Sequence, residues 1–264
     1  MSGRESDRLV HVEMVMGMAV SIDVRDGPLG QAEVRAAVTD VVQWLHHVDA
    51  TFSTYKEDSP ISRIGRGELA MADADDEIRS VLAMCEALNA DTDGAFDILS
   101  VPAPNGTHLD PSGVVKGWSI ERAAGILTER GVQHFCLNAG GDIAVRGAAG
   151  PGEPWRIGIR HPDEPLKSAA VLEANGPLAI ATSATYERGA HIIDPSTGEP
   201  TTDVASVTIV GPDLTFADAY ATAVFVMGVA GLRWLDKHPA YGGFVITHDA
   251  TTWSTPVFDR YRIG

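Results

Sequence analysis

The sequence predicts an α+β fold with mixed, largely antiparallel sheets and packed helices. Two observations support this prediction: segments with helical and strand periodicity are interspersed, and hairpin-length links outnumber crossover-length ones. The length of 264 residues suits one large domain or two intimately joined ones. Because the chain has no fixed-period repeat, low-complexity tract or linker, we expect a single domain over residues 1–264.

Apolar periodicity predicts the elements of the N-terminal part. Residues 14–24 alternate apolar and polar side chains and predict a strand, which Gly17 interrupts near its start. Residues 31–48 and residues 73–90 each place their apolar side chains along one helical stripe, so both predict helices. Between these helices, residues 52–64 predict a polar loop.

The same rules predict the elements of the C-terminal part. A loop over residues 109–117 leads into a helix at residues 118–130, and a Gly-Gly-Asp turn divides two strand pieces within residues 135–145. The further predictions are strands at 155–160, 178–182 and 204–210, helices at 216–228 and 232–237, and a closing hairpin from 243–247 and 251–254. Helices and strands are therefore mixed along the whole chain.

The most apolar predicted helix, residues 216–228, carries two polar side chains on one face. Asp218 and Thr222 lie four residues apart, so a helix places them one above the other. A carboxylate and a hydroxyl are hard oxygen ligands of the kind that Mg²⁺ binds together with substrate phosphates. The alternative is structural: Asp218 is an acid near a helix start, where the helix dipole favours it, and Thr222 is a packed neutral residue.

The composition disfavours two classes of partner and indicates a location. The formal net charge of −16 at pH 7 makes nucleic acid and anionic membranes poor partners. No uninterrupted apolar run reaches the ~18 residues of a membrane span. The N-terminus has no apolar segment of signal-peptide type and no lipid-modifiable cysteine, so we expect a cytoplasmic protein without membrane insertion. Cys85 and Cys136 lie in apolar runs and are expected to be small buried residues.

Five polar stretches interrupt the apolar segments with residues that a core would not select. They are 53–55 with 58–59, 94–97, 110–117, 138–142, and 181–188 followed by 191–198. Each has a structural alternative. In these alternatives Gly-Gly-Asp would be a plain turn, Asp110 before Pro111 an Asx turn, Lys116 a solvated charge, and Tyr55 a half-buried aromatic side chain. Singly, none of these stretches identifies a function.

Together the stretches resemble the ApbE-type FAD:protein FMN transferases, a family of flavin transferases. With Met16-Gly17 before them and the helix at 216–228 after them, the matching segments follow the family's order. The resemblance implies an α+β fold of two tightly joined halves, approximately residues 1–109 and 110–264, that hold FAD between them, the second half being T-fold-like. It also implies the reaction: FAD is split with Mg²⁺, FMN moves to a Thr or Ser hydroxyl of a target protein through a phosphoester bond, and AMP is released.

The resemblance further implies roles for individual residues. The expected Mg²⁺ ligands are the side chains of Asp218 and Thr222 and the backbone carbonyl of Gly113. His191 corresponds to a histidine proposed to take the proton of the acceptor hydroxyl, and neutral histidine suits that step at neutral pH. The positions expected to contact FAD are Met16, Tyr55, Ala95, Phe96, Asp97, Asp110, Lys116 and Ile192.

Two other functions are compatible with this sequence. Water in place of the acceptor hydroxyl would make the protein a Mg²⁺-dependent FAD pyrophosphatase that releases FMN and AMP, since both reactions need the same metal and base. A non-catalytic flavin-binding protein is the third alternative, although such a protein has no need of a base beside a metal. The chain also departs from many relatives: the segment between Asp97 and Asp110 is shorter, and Ala184 follows a Thr-Ser pair where the family often has glycine. These departures concern flavin contacts and target choice rather than the metal ligands.

Overall fold

The computed structural model describes residues 8–25, 29–100, 103, 106–185 and 192–263, and it shows mixed helices and antiparallel sheets. The predicted α+β class is confirmed. The strands in the described residues are β1 (Leu9–Val15), β2 (Met18–Val24), β3 (Phe135–Ala139), β4 (Asp142–Arg146), β5 (Trp155–Arg160), β6 (Ser168–Ala174), β7 (Leu178–Ala184), β8 (Val204–Gly211), β9 (Gly242–Thr247), β10 (Thr252–Ser254) and β11 (Arg262–Ile263). The α-helices are α1 (Gln31–Phe52), α2 (Pro60–Gly65), α3 (Asp76–Asp91), α4 (Ser112–Glu129), α5 (Leu214–Met227), α6 (Gly231–Trp234) and α7 (Pro256–Asp259).

Strands from the whole chain build one large antiparallel sheet. Its order is β1-β2-β3-β4-β7-β8-β9-β10, and every neighbouring pair is antiparallel. A second antiparallel sheet of three strands has the order β11-β6-β5. The predicted boundary between two halves near residue 110 separates β1 and β2 from the other strands of the large sheet. The boundary itself stays a prediction.

The two faces of the large sheet contribute to two hydrophobic cores. Ile22, Leu137 and Ile209 belong to the main core, which also contains the apolar faces of α1, α3, α4 and α5. Strand alternation turns residues such as Val145 and Ile180 to the opposite face, where they form a second core with the three-stranded sheet. The helices that carry the candidate metal ligands, α4 and α5, are therefore held by the main core.

The N-terminal strand predicted at residues 14–24 is in fact a hairpin. β1 and β2 pair in antiparallel register, and Met16 and Gly17 form the two-residue turn between them. Both turn residues have positive φ, 53° for Met16 and 71° for Gly17. Gly17 therefore marks a tight turn rather than an interruption within one strand.

The loop predicted at residues 109–117 is wrong over most of its length, because α4 begins at Ser112. The low helix propensity of Gly113 and Gly117 concealed the first turns of this helix. The structure also adds four short elements that the sequence did not predict, α2, β6, α7 and β11, and extends α1 to its end at Phe52.

The two cysteines differ in exposure. Cys85 is buried as predicted, whereas Cys136 is only partly buried. Burial raises the pKa of both thiols to about 12. Both side chains are therefore protonated at neutral pH, which agrees with a packing role rather than a reactive one.

α5 is a helix of the protein core. The helical segment Leu214–Lys237 is long and apolar enough to cross a membrane by length and composition, but 67% of its most apolar window is buried inside the protein. Asp213 caps α5 by accepting a hydrogen bond of 2.7 Å from the N–H of Thr215. Asp218 is buried and lies a full turn inside the helix, so the explanation of this acid as a helix-start residue is wrong. α5 ends at Met227, and Gly228 caps its C-terminal end with a φ of 65°.

Candidate functional site

The candidate site begins where α4 and α5 cross at very short distance. A Cβ atom at Gly117 would lie 2.5 Å from the backbone oxygen of Leu214 and 2.7 Å from Cβ of Asp218, so only glycine fits. The backbone N–H of Gly117 donates a hydrogen bond of 2.9 Å to Oδ2 of Asp218. This contact fixes the Asp218 carboxylate against the neighbouring helix.

One helical turn away, the same crossing brings Gly113 against Thr222. A Cβ atom at Gly113 would lie 4.0 Å from Oγ1 of Thr222 and 3.1 Å from the Phe96 ring. Since Gly117 faces Asp218 and Gly113 faces Thr222, the two helices run antiparallel at this point. The three residues predicted to ligate Mg²⁺ thus converge on one crossing, where Thr222 is half-buried. Their role as ligands stays a prediction.

The hydrogen bond between Gly117 and Asp218 also affects the backbone carbonyl of Gly113. In a regular α-helix this oxygen accepts a hydrogen bond from the N–H four residues later, which here belongs to Gly117. Here the Gly117 N–H donates to the Asp218 carboxylate, so it is not available exclusively to the carbonyl oxygen of Gly113. A backbone oxygen with spare accepting capacity is a suitable ligand for a hard cation such as Mg²⁺.

Two further charged residues complete the cluster. Asp142 begins β4 and is fully buried, and its Oδ1 accepts a hydrogen bond of 3.2 Å from the backbone N–H of Thr182. The ammonium nitrogen of Lys116 lies 2.8 Å from Oδ2 of Asp142 and 3.5 Å from Oδ1 of Asp218. The cluster therefore combines two carboxylates with one ammonium group. The sequence singles out the stretch that contains Asp142 but indicates no role for this residue.

The excess of buried carboxylate changes the acidity of Asp218. Burial first, and then the charge of Asp142, raise the pKa of the Asp218 carboxyl to about 8, against the opposing effects of Lys116 and the Gly117 N–H. A cation at this carboxylate would supply the missing positive charge. Among the described residues no three His, Cys, Asp or Glu side chains form a metal cluster. The available donors are one carboxylate, one hydroxyl and one backbone carbonyl, a set of hard oxygens that fits Mg²⁺.

The predicted flavin-contact turn at residues 95–97 reaches the same crossing. Phe96 is buried and its ring lies against the backbone of Gly113. Its N–H donates to Oγ1 of Thr92 at 3.0 Å, and its carbonyl accepts from the side-chain amide of Asn89 at 2.8 Å. Ala95 and Asp97 beside it are half-buried. The turn is thus fixed to α3 on one side and to α4 on the other.

Met16 joins the cluster through the turn of the N-terminal hairpin. Its Sδ atom lies 3.9 Å from Oγ of Ser119 on α4, and that hydroxyl donates to the carbonyl of Lys116 at 2.8 Å. A positive φ is uncommon for a residue other than glycine, and such conformations concentrate at functional sites. The structure therefore brings Met16 close to the turn of α4 that bears Lys116.

The other predicted FAD contacts occupy varied positions. Oδ1 of Asp110 accepts a hydrogen bond of 3.0 Å from the N–H of Ser112, so this residue forms an Asx turn that leads into α4. Ile192 packs against the main core and accepts a hydrogen bond from Thr201. Tyr55 is 81% exposed, so its interpretation as a half-buried aromatic residue is wrong. The structure leaves its ring in solvent rather than against the buried cluster.

His191, the predicted base, lies outside the described residues, as do residues 186–190. Its role in proton transfer stays a prediction. A turn follows it in the described residues: the carbonyl of Asp194 accepts from the N–H of Thr197 at 3.2 Å, and Oδ1 of Asp194 accepts from the N–H of Ser196 at 2.8 Å.

Comparison with solved structures shows the fold. The flavin transferase ApbE from Vibrio cholerae superposes with a TM-score of 0.83 at 23% identity, covering 96% of this chain and 99% of that one. The apo form of the flavinyl transferase ApbE from Pseudomonas stutzeri gives a TM-score of 0.84 at 23% identity, covering 99% of this chain and 98% of that one. The α+β architecture is therefore shared along nearly the full length of both relatives.

Sequence comparisons define the family. The model of the ApbE family matches residues 16–105 and 100–244. The FAD:protein FMN transferase of Vibrio cholerae serotype O1 is 27% identical, over 81% of this chain and 79% of that protein. The FAD:protein FMN transferase of Salmonella typhimurium is 24% identical, over 93% of this chain and 85% of that protein. The chain belongs to the ApbE family.

Proposed function

We propose that the chain is a Mg²⁺-dependent FAD:protein FMN transferase that moves FMN to a Thr or Ser hydroxyl of a target protein through a phosphoester bond and releases AMP. The observation that carries this proposal is the crossing of α4 and α5, where Asp218, Thr222 and Gly113 meet near a second buried carboxylate, that of Asp142. Membership of the ApbE family and the activity named for its relatives support the same reaction.

Each residue of the crossing has a role that suits its chemistry. A bound Mg²⁺ would offset the negative charge that develops as the pyrophosphate of FAD is broken. Asp218 and Thr222 would hold the cation from α5, and the backbone carbonyl of Gly113 would hold it from α4. Lys116, with a quarter of its side chain exposed, presents a positive charge to phosphate oxygens. Such local positive charge matters because the whole protein carries a net charge of −16.

Proton transfer from the acceptor is assigned to His191. A Thr or Ser hydroxyl is a weak nucleophile until a base takes its proton, and neutral imidazole is suited to that role. The same metal and base would act on water. The second candidate function is therefore a Mg²⁺-dependent FAD pyrophosphatase giving FMN and AMP, and the third is a flavin-binding protein without turnover.

The test is an incubation with FAD, Mg²⁺ and an acceptor protein that carries a family-type flavinylation sequence. AMP is measured by chromatography and the acceptor by intact mass. Asp218→Ala is compared with Asp236→Asn, which removes an exposed acid outside the site. AMP together with a labelled acceptor, in the wild type and Asp236→Asn only, supports the transferase. AMP and FMN without labelling indicate the pyrophosphatase, and bound FAD without AMP indicates the binding protein.

A further inference from the structure

Asp142 is the charged residue of the cluster that the proposed reaction does not use. It is fully buried at the start of β4, and its two oxygens face different partners. Oδ1 accepts the backbone N–H of Thr182 on β7, and Oδ2 lies 2.8 Å from the ammonium of Lys116. The first contact anchors the carboxylate to the sheet, so that its charge is presented to α4 from a fixed position.

Lys116 lies between two carboxylates at unequal distances. Its ammonium nitrogen is 2.8 Å from Asp142 and 3.5 Å from Asp218. An ammonium ion and a divalent cation compete for the same carboxylate, since each lowers the charge that attracts the other. In this buried site the competition is strong, because charges are poorly screened there. The position of Lys116 therefore affects how well Asp218 can bind a metal.

We propose that Asp142 is a positioning residue that holds the Lys116 ammonium away from Asp218 and so leaves Asp218 available to the metal. This inference rests on the proposed function, because it assigns the metal to Asp218. Asp142 keeps the ammonium group of Lys116 in the site, where that group can contact the phosphates of FAD. At the same time it prevents the ammonium group from pairing with Asp218. In this arrangement Asp142 on β4 holds the ammonium group of Lys116, and Asp218 on α5 is left to bind the metal ion.

The substitution Asp142→Asn separates this role from the anchoring role. The amide oxygen of asparagine can still accept the Thr182 N–H, but an NH₂ group replaces the oxygen that faces Lys116. The ammonium is then left with Asp218 as its nearest carboxylate. We expect Lys116 to move onto Asp218, and the metal to bind less tightly as a result.

The experiment measures Mn²⁺ binding to the FAD-free protein by the electron paramagnetic resonance of free Mn²⁺. The proteins are the wild type, Asp142→Asn, Lys116→Met, the double variant and Asp218→Ala. We expect Asp142→Asn to weaken Mn²⁺ binding by about tenfold, equivalent to about 1.4 kcal/mol. Lys116→Met should bind at least as tightly as the wild type. The double variant should regain most of the lost affinity, because the competing ammonium is gone. Thermal unfolding of each variant checks that it is folded.

Each outcome decides a different point. A double variant as weak as Asp142→Asn would overturn the proposal, because loss of Asp142 would then act independently of Lys116. Wild-type affinity in Asp142→Asn would overturn it too. If Asp142→Asn does not fold, weaker Mn²⁺ binding by Lys116→Met alone would show that Lys116 is no competitor and would overturn the proposal. A wild type that binds Mn²⁺ no better than Asp218→Ala would instead overturn the metal site of the proposed function, and this inference with it.

Discussion

The polar residues on the two sides of α5 differ in how they are paired. On one side, Asp218 and Thr222 face the glycines of α4, and two buried carboxylates share a single ammonium group. On the other side, the hydroxyl of Tyr220 lies 3.2 Å from Nδ1 of His238, and Nε2 of His238 lies 2.9 Å from Oδ2 of Asp91. The second side joins one hydroxyl, one imidazole and one carboxylate by short polar contacts, whereas the first has two carboxylates for one ammonium group.

This contrast separates structural polar groups from functional ones. The Asp91 to Tyr220 chain links the end of α3 to α5, and Trp234 donates to the carbonyl of Asp91 at 3.1 Å. Hydrogen bonds such as those of Tyr220 and Trp234 stabilise a fold, because a buried polar atom regains a partner that it lost in water. A cluster with surplus charge lowers stability by itself and is retained where a ligand supplies the missing charge. The comparison predicts opposite responses to mutation on the two sides.

The largest effect is expected for Asp218→Ala on turnover. Loss of the charged ligand removes several kcal/mol of charge stabilisation from the reaction, so the rate of AMP release should fall by at least about 10³-fold. The fold should survive, because the variant removes a buried polar group rather than a large apolar side chain. Steady-state AMP release and circular dichroism check the two statements. Full activity in this variant would show that the metal site is elsewhere.

A large effect on stability is expected for Gly117→Ala. The new Cβ would lie 2.5 Å from a backbone oxygen of α5, which cannot move aside as a side chain can. Overpacking of this kind costs about 1–3 kcal/mol of unfolding free energy, and it should also weaken metal binding because the helices separate. Urea unfolding measures the first effect and Mn²⁺ titration the second.

Gly125→Ala on the same helix is the matched control. Its Cβ would meet only the end of the flexible Arg122 side chain, at 3.3 Å. Since alanine is the better helix former, this variant should match the wild type or gain about 0.5–1 kcal/mol. Equal destabilisation by both variants would contradict the close crossing at Gly117.

The pH dependence of stability should report the surplus charge directly. The pKa of Asp218 is raised from 3.8 to about 8 in the folded protein, so between these values the folded state holds a proton that the unfolded state releases. The unfolding free energy of the metal-free protein should therefore fall as pH rises through this window. Asp218→Asn should lose that contribution, and saturating Mg²⁺ should oppose the fall in the wild type. Urea midpoints at about pH 5 and about pH 8 test this slope. Parallel slopes for wild type and variant would contradict it.

The sequence predicted the parts of the site that are local and missed the parts that are long-range. Asp218 and Thr222 lie on one helix, and their spacing alone places them on one face. Asp142 was missed as a partner because Lys116, Thr182 and Asp218 come from three distant elements, and no local pattern joins them. Only the packing of β4 beneath α4 and α5 brings these charges together.

The same division explains the errors in secondary structure. The fold class follows from alternation and link length, which are local properties, and it is confirmed. The start of α4 was misplaced because Gly113 and Gly117 are poor helix formers. The close approach of α5 requires glycine at position 117, and a Cβ atom at Gly113 would lie 3.1 Å from the Phe96 ring, and local propensity contains neither contact. Met16 at positive φ likewise has no sequence signal, since methionine seldom occupies such a turn.

The smallest effect on stability and activity is expected for Tyr220→Phe, on the side of α5 that contacts His238. Burial raises the pKa of Tyr220 to about 12, so its hydroxyl is protonated and available to hydrogen bond with His238. Loss of this contact should cost about 0.5–1.5 kcal/mol of unfolding free energy, while the rate of AMP release and the KM for FAD stay unchanged. Urea unfolding and steady-state kinetics provide both readouts. If Tyr220→Phe instead slowed the reaction at unchanged stability, the division of α5 into a structural side and a functional side would be wrong. The Tyr220 hydroxyl would then contribute to the reaction that we assign to Asp218 and Thr222, each two residues away in the sequence.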